Sequence, residues 1–236
     1  MKKALIIMTR VPIQGKTKTR LEGYFTREQC VMLHIAFLKD IYRKCRTTEA
    51  EVFVFYTPLK HEHTMTSILG SEVKLYPQEG IDLGERMSNA INQCLSLGYE
   101  QCILIGSDIP AINAGLINKA FDVLDLNDIV IAPTYDGGYC LIGMKEPHPG
   151  VFEDNFYGTG AVYDKTINNI LNMKLSIGQL DRCLDIDVKE DVELLVREIE
   201  AGRHRDCPAT IEFLSCLKLL REEEVQDTLK EQITIN

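Results

Sequence analysis

Short apolar runs recur along the chain, and they predict strands that are buried on both faces of a parallel sheet. The clearest runs are residues 4–8, 52–56, 102–105 and 129–132, and a shorter one lies at 73–76. Apolar residues at helical spacing fill several of the stretches between these runs, which predicts amphipathic helices packed on the sheet. This alternation of strand and helix is typical of a doubly wound α/β fold.

Two of the predicted helices begin at sequences with the spacing of a capping box. Thr26 precedes Gln29 by three residues, and Asp82 precedes Glu85 by the same interval. The apolar positions that follow predict which face of each helix is buried. They are Val31, Ile35, Leu38, Tyr42 and Cys45 in the first helix, and Leu83, Met87, Ala90, Ile91 and Cys94 in the second.

The alternation breaks after the run at 129–132. Residues 133–138 contain a proline, an aspartate and two adjacent glycines, which predicts a turn, and the apolar segment 139–143 follows at once. No crossover helix fits between the two strands, so residues 139–143 are expected to run antiparallel in a mixed sheet. Gly137 and Gly138 permit a positive φ, or allow the backbone to approach a ligand closely.

Three helices are predicted in the last third of the chain, one of them over the repeat Val192, Leu195, Val196 and Ile199. The segment 156–159 should precede one helix, and the repeat Leu214, Leu217 and Leu220 predicts a final docked helix. The acidic run 222–224 should form the solvated end of a C-terminal helical tail over residues 208–236. The whole chain, 1–236, is expected to be a single domain.

Composition and charge exclude several classes of protein. The chain has 236 residues, of which 45% are hydrophobic and 26% charged, and its net charge of −9 disfavours a nucleic-acid-binding surface. We find no apolar stretch long enough to span a membrane and no signal-peptide pattern, so we expect a cytoplasmic protein with reduced cysteines. His61 and His63 are expected in a solvated loop rather than at a metal.

The run at 102–105 is followed by the most distinctive polar residues in the chain. Gly106, Ser107 and Asp108 come directly after it, and Pro110 prevents the strand from continuing. Ligands of open α/β sheets bind beyond the carboxyl ends of the strands, where an aspartate can hold a hard divalent cation. The alternative is that Asp108 only caps the next helix or shapes the turn.

A basic loop follows the first strand. Arg10, Lys16, Lys18 and Arg20 place four cations within eleven residues of an otherwise acidic chain. Arginine and lysine together can clamp a pyrophosphate, although the spacing is not that of a P-loop, and a merely solvated basic loop is the alternative. Arg86 opposes the dipole of its helix, so it is either paired with a carboxylate such as Glu85 or kept for an anionic ligand.

Two further carboxylates alternate with apolar residues near the end of the predicted fold. Asp185 and Asp187 would share one face of an extended segment. Asp187 also stands three residues before Glu190 at the start of a helical repeat. It is therefore either a helix N-cap alone or a cap that also binds a metal.

Taken together, several motifs resemble those of one protein family. They are residues 8–12 with Gly15 and residues 18–21, then 82–87, 106–110, 136–139, 157–159 and 185–187. The sequence is similar over roughly residues 4–200 to a bacterial family of GT-A-type glycosyltransferase-like proteins, labelled nucleotide-diphospho-sugar transferases and in some operons linked to arsenosugar biosynthesis. The wider superfamily includes guanylyltransferases for molybdopterin and for phospholactate.

The resemblance implies a GT-A-like, Rossmann-like mixed sheet, mostly parallel with an antiparallel strand, and a specific set of site residues. Arg10, Lys18, Arg20, Arg86 and Ser107 would bind the nucleotide. Asp108 and Asp187 would hold Mg²⁺ or Mn²⁺, and Asp108 and Asp136 would be catalytic. Gly137, Gly138, Tyr139, Gly158 and Thr159 would bind the second substrate. The sequence departs from the family pattern in two ways: the usual Asp-x-Asp metal motif is reduced to Ser107-Asp108, and Tyr157 stands where a tryptophan is expected.

Three functions compete at this point. The first, which the family resemblance favours and which we expect, is metal-dependent glycosyl transfer from a nucleotide-diphospho-sugar. The second, which the basic loop favours, is transfer of a nucleotidyl group from an NTP to a phosphorylated small molecule with release of pyrophosphate. The third is nucleotide binding without catalysis. The expected partners are a nucleotide or nucleotide-sugar donor and a small-molecule acceptor, without nucleic acid, and a homodimer is left open.

Overall fold

The computed structural model describes residues 1–153 and 157–220, which are built around a seven-stranded sheet of order β3-β2-β1-β4-β6-β5-β7. The strands are β1 Lys3–Arg10, β2 Glu51–Thr57, β3 Lys74–Pro77, β4 Gln101–Gly106, β5 Ile129–Pro133, β6 Tyr139–Met144 and β7 Ile177–Gln179. The described helices are α1 Arg27–Cys45, α2 Glu62–Leu69, α3 Leu83–Ser96, α4 Ala114–Leu126, α5 Val162–Asn172, α6 Lys189–Glu200 and α7 Pro208–Cys216.

The predicted fold class is confirmed. Strand β6 lies between β4 and β5 and runs antiparallel to both, whereas the other neighbouring pairs are parallel. A parallel strand next to β5 would need a long crossover connection, and the turn at residues 134–138 is too short for one. Strand β6 therefore runs antiparallel to β5.

Both faces of the sheet are buried, as the continuous apolar runs predict. In β1, Leu5 and Ile7 point to the face covered by α1, α4, α6 and α7, while Ala4 and Ile6 point to the face covered by α3 and α5. The two-residue period of a strand therefore supplies two cores at once.

The caps of α1 and α3 form as predicted, but the buried faces are shifted. Thr26 and Gln29 form a complete capping box at α1, and Asp82 accepts from the amide of Glu85 at α3. The buried side chains of α1 include Cys30, Leu33, His34, Phe37, Leu38, Ile41, Tyr42 and Cys45. The prediction was wrong for Val31 and Ile35, which are only partly buried, and for Leu83 at the start of α3, which is exposed.

Other predictions fail or fall outside the described residues. His61 lies directly before helix α2 and His63 in its first turn, so the prediction of a loop was wrong for His63. Strand β7 has three residues, too few for a recognisable pattern in the sequence. The expected final helix is α7, which ends at Cys216, and Leu217 and Leu220 lie beyond it. The acidic run 222–224 and Phe156 lie outside the described residues. The single domain over residues 1–236 stays a prediction.

The eight cysteines are free thiols, and six of them are buried, whereas Cys183 is partly buried and Cys216 is exposed. Across residues 1–153 and 157–220 we find no helix with the length and apolar character needed to cross a membrane.

Candidate nucleotide site at the carboxyl ends of the strands

A cleft of about 730 Å³ lies where the carboxyl ends of β1, β2 and β4 meet. This is the position at which open α/β sheets bind ligands. The cleft is lined by Arg10, Lys18, Arg20, Arg86 and Ser107, the five residues predicted to bind a nucleotide, and by the predicted metal ligands Asp108 and Asp187.

A second cavity of about 360 Å³ adjoins the cleft and shares Arg20, Tyr139 and Asp187 with it. Of the residues predicted to bind the second substrate, it is lined by Gly138, Tyr139, Gly158 and Thr159, together with Asp136. Gly137 is not among the residues that line either of these two cavities.

The basic loop after β1 is an ordered structure, and it directs one lysine inward. The buried hydroxyl of Thr17 accepts from the amide of Ile13 at 2.9 Å and donates to the carbonyl of Val11 at 3.3 Å. Lys18 then adopts a left-handed conformation with φ of 52°, and a short 3₁₀ turn follows in which Leu21 is fully buried. The solvated alternative is therefore wrong for Lys18, whose side chain is only 4% exposed.

The predicted phosphate-binding cations and the predicted metal ligands are paired with each other. Lys18 Nζ lies 2.7 Å from Asp108 Oδ1 and 3.3 Å from Asp187 Oδ1, and it also donates to the carbonyl oxygen of Ile186. Arg20 Nη1 lies 3.2 Å from Asp187 Oδ2. We call Lys18, Arg20, Asp108 and Asp187 the ion cluster.

Asp108 does not act as a helix cap. Helix α4 is capped by Asn113, whose side chain accepts from the amide of Leu116. The backbone carbonyl of Asp108 accepts from the amide of Ile186 at 2.8 Å, which joins the end of β4 to the chain that carries Asp187. Burial alone would raise the pKa of Asp108, but the charge and hydrogen bond of Lys18 hold that pKa below its ordinary value, so the carboxylate is ionised at neutral pH.

Asp187 does not cap its helix either. The N-cap position of α6 is Val188, and the carboxylate of Asp191 accepts from the amides of Asp187 and Val188 at 2.9 Å each. The side chain of Asp187 is thus left to the ion cluster. Asp185 differs, because burial and the charge of Asp136 raise the pKa of its carboxyl to about 6.

His34 belongs to the site, although the sequence analysis did not select it. Its ring is 3% exposed, its Nε2 atom lies 3.1 Å from both Thr9 Oγ1 and the carbonyl oxygen of Arg10, and its Nδ1 atom lies 3.7 Å from Asp108 Oδ1. Burial lowers the pKa of His34 against the opposing effect of Asp108, so the ring is neutral at pH 7. A histidine on the buried face of α1 would have been a reason to select it. The predicted face was shifted by one residue and did not include His34.

The turn at residues 134–138 is built around Asp136 and Gly137. Asp136 Oδ1 accepts from the amide of Gly138 at 3.0 Å and from the hydroxyl of Thr134. Gly137 has φ of 87°, and a Cβ atom there would stand 2.1 Å from the carbonyl oxygen of Gly160. Glycine is therefore required at position 137 for two reasons: its φ is positive, and its backbone lies close to the backbone of Gly160 rather than to a ligand.

Arg86 is not paired with its neighbour Glu85. Its Nε atom donates to the carbonyl of Gly80 at 3.0 Å, while the Glu85 carboxylate accepts from the amide of Ile81. Both contacts fix the loop that precedes α3. The paired alternative for Arg86 is wrong, and its guanidinium faces the cleft with only one backbone acceptor among its described contacts.

The ion cluster can be compared with the needs of a divalent cation. Mg²⁺ is commonly bound by one or two carboxylates together with substrate phosphates, and Asp108 and Asp187 converge on a single point. Within the described ranges there is no group of three or more His, Cys, Asp or Glu side chains that could hold a metal alone. The donor set fits a cation shared with a phosphate ligand, and the Lys18 ammonium stands at the point of convergence.

Two relatives show what the chain is similar to. It is 25% identical over 182 residues, 76% of each chain, to the 2-phospho-L-lactate guanylyltransferase of Methanoculleus marisnigri. It is also similar to a solved structure from Desulfovibrio desulfuricans G20, provisionally described as a nucleotide-diphospho-sugar transferase, with a TM-score of 0.87, 28% identity and coverage of 97% of this chain and 99% of that one.

A more distant solved structure agrees in fold alone. The cytidylyltransferase of Leptospira borgpetersenii is superimposed with a TM-score of 0.55 at 15% identity, covering 92% of this chain and 94% of that one. A family model described as an uncharacterized protein conserved in bacteria, DUF2064, matches residues 41–159, about half of the chain. The chain therefore belongs to the DUF2064 family, which is consistent with the family that its motifs resemble.

Proposed function

We propose that this protein is a nucleotidyltransferase that joins the nucleotidyl group of an NTP to a phosphorylated small molecule and releases pyrophosphate. The observation that carries the proposal is the ion cluster, which places cations and acidic groups together in a cleft at the carboxyl ends of the central strands. The similarity to a guanylyltransferase over 76% of both chains supports this choice.

Nucleotidyl transfer to a phosphate requires groups that balance negative charge on the phosphates, and it does not require a strong base. An oxygen of the acceptor phosphate attacks the α-phosphorus of the NTP, and the bond from that phosphorus to the bridging oxygen of the β-phosphate breaks. Because the attacking phosphate is already an anion, no proton has to be removed from it. Arg20, whose side chain is 59% exposed and pairs with Asp187, and Arg86, which donates to the carbonyl of Gly80, both line the cleft, and their guanidinium groups would balance the charge of the departing pyrophosphate.

A divalent cation fits the same scheme. Mg²⁺ or Mn²⁺ held by Asp108 and Asp187 would neutralise charge on the phosphate oxygens. The neutral His34 ring holds the end of β1 through the carbonyl of Arg10 and faces Asp108 through Nδ1. We assign the adjoining cavity to the acceptor, with Asp136, Gly138 and Thr159 on its wall.

Glycosyl transfer from a nucleotide-diphospho-sugar is the second candidate. The solved structure with the provisional transferase description covers 97% of this chain at 28% identity, which favours it. The same cations would then balance a nucleoside diphosphate leaving group, and the adjoining cavity would hold the sugar and its acceptor.

The two candidates release different products. We would incubate the protein with Mg²⁺, each of the four NTPs and a panel of phosphorylated hydroxy acids and sugar phosphates, and measure pyrophosphate. A parallel panel of nucleotide sugars would be assayed for free nucleoside diphosphate. Release of pyrophosphate that requires an acceptor supports the proposal, and release of nucleoside diphosphate instead supports glycosyl transfer.

A variant pair links the activity to the cleft. Arg20→Ala should lower kcat/KM for the NTP at least tenfold, which corresponds to the 1.5–3 kcal/mol typical of a hydrogen bond to a charged group. Lys119→Ala removes an exposed cation on α4, away from the lining of the cleft, and should leave kcat/KM unchanged. Equal values for both variants would contradict the assignment of the cleft.

A further inference from the structure

Lys18 occupies the point at which the two predicted metal ligands meet. Its ammonium contacts Asp108 Oδ1 at 2.7 Å, Asp187 Oδ1 at 3.3 Å and the carbonyl oxygen of Ile186. These are three oxygen donors, the atom type that a hard divalent cation selects. One positive charge from the chain itself thus takes the contacts that a metal ion would need.

The position of the ammonium is enforced by the structure around it. The side chain is 4% exposed, and Nζ lies 5.5 Å from the centre of the Phe37 ring. The left-handed backbone of Lys18 follows the buried Thr17, and its carbonyl accepts from the amide of the buried Leu21 at 2.9 Å. Such an anchored side chain loses little entropy when it pairs, so it competes well for the two carboxylates.

We propose that Lys18 is a tethered counter-cation that excludes a divalent cation from Asp108 and Asp187 until an incoming phosphate group draws its ammonium away. A divalent cation and the ammonium cannot share these oxygens, because both need the same lone pairs and the two positive charges repel each other. The metal alone should therefore bind weakly, and metal and nucleotide should strengthen each other's binding by the same factor.

This inference rests on the proposed function only in its second half. That Lys18 blocks the metal is a property of the free protein and needs no nucleotide. That phosphate releases Lys18 requires a phosphate-containing ligand in the cleft. The two halves can be tested separately, so a failure of the proposed function would leave the first half open to its own test.

The first test measures Mn²⁺ binding without nucleotide, by titration calorimetry or by the electron paramagnetic resonance signal of free Mn²⁺. Lys18→Met removes the charge and keeps an unbranched apolar side chain, and it should bind Mn²⁺ at least tenfold more tightly than the wild type. Lys16→Met removes an equal charge from an exposed position two residues away and should change the affinity less than threefold. Lys18→Arg keeps the charge and should bind Mn²⁺ as weakly as the wild type.

An affinity for Mn²⁺ in Lys18→Met that equals or falls below that of the wild type would overturn the proposal. A gain in affinity must also depend on the two carboxylates. The double variant Lys18→Met with Asp187→Asn should lose most of that gain, and a gain that survives in the double variant would place the metal elsewhere and refute the assignment.

A measurement on the wild type guards against misfolding of the variant. Acetylation of lysine amines by an N-hydroxysuccinimide ester, followed by peptide mass spectrometry, reports how accessible Lys18 is. Labelling of Lys18 should be slow in the free protein and should rise as Mn²⁺ alone is titrated to millimolar concentrations. Lys119, whose side chain is 56% exposed, is the internal control and should label equally throughout. Lys18 that stays protected while Mn²⁺ binds would refute the displacement.

The second half is tested with a nonhydrolysable NTP analogue. Its affinity should rise at least tenfold when Mg²⁺ is added to the wild type, and much less in Lys18→Met, which has no ammonium to displace. If the analogue does not bind at all, the proposed function is contradicted, while the measurement of Mn²⁺ binding without nucleotide is unaffected. An analogue that binds with the same dependence on Mg²⁺ in both proteins would overturn the coupling.

Discussion

Replacing Asp185 with Asn should stabilise the folded protein near neutral pH and have little effect in acid. Burial and the nearby charge of Asp136 raise the pKa of Asp185 from its ordinary value of 3.8 to about 6. An ionised carboxylate at this position therefore costs the folded state free energy that the unfolded chain does not lose. Asparagine keeps the shape of the side chain and removes the charge.

The size and sign of the effect follow from proton linkage. A pKa that is higher by about two corresponds to about 3 kcal/mol, and water around the partly exposed side chain reduces this to about 1–3 kcal/mol. Because the folded-state pKa is raised, the stability that the carboxyl contributes is fully present below about pH 4 and is lost as the pH rises through about 6. The advantage of Asp185→Asn should grow over that same window.

The assay is urea denaturation of wild type and variant at several pH values between about 4 and 8, with a chelator present so that no metal neutralises the carboxyl. The control is Asp122→Asn, which changes an exposed aspartate on α4. The control should shift the free energy of unfolding by less than about 0.5 kcal/mol at every pH. A gain for Asp185→Asn that is the same at every pH, or absent at pH 8, would refute the reasoning.

Three smaller predictions follow from local contacts, each measured by urea denaturation. Gly137→Ala should destabilise the fold by more than about 2 kcal/mol, since its Cβ atom would meet the carbonyl of Gly160. Gly158 has the same φ of 87°, but no atom of the described residues lies within 4 Å of the added Cβ, so Gly158→Ala should cost only about 1 kcal/mol; equal losses would contradict the clash. Asp191→Ala should cost about 1–2 kcal/mol, because two amides at the start of α6 lose their acceptor, and an unchanged midpoint would disprove the capping role. Gln78→Ala should cost about 1–3 kcal/mol, because its side-chain amide joins carbonyls of β1 and β2, and a smaller loss would mean that water replaces it.

The sheet was predictable because each central strand is a continuous apolar run, and because ligand sites follow the carboxyl ends of such strands. Asp108 could be selected for that reason alone. The sequence analysis also selected Lys18, but its pairing with Asp108 could not be predicted, since it joins residues that are distant in sequence and depends on a left-handed residue that no local pattern marks.

Helix patterns gave a weaker signal than strand patterns. The face of α1 was misplaced by one residue because apolar side chains occur on both sides of the stripe, and the error left His34 outside the predicted buried face. Likewise, Asp187 has the right spacing for a cap, but Asp191 takes that role from the third position of the helix. Asp191 can take the capping role because the carboxylate of Asp187 is engaged with Lys18 and Arg20, and the sequence does not show those tertiary contacts.

The reversed direction of β6 has an evolutionary consequence. Strand β6 begins at the edge of the sheet where β4 and β5 end. Residues 134–138 therefore connect β5 to β6 beside the second cavity, without a crossover helix between the two strands. Insertions or deletions in that turn would reshape this cavity and leave the pairing of β1 with β2 and β4 unchanged. Changes in five residues of one hairpin can therefore alter the second cavity, while the strands β1, β2 and β4, whose ends border the cleft, are inherited unchanged.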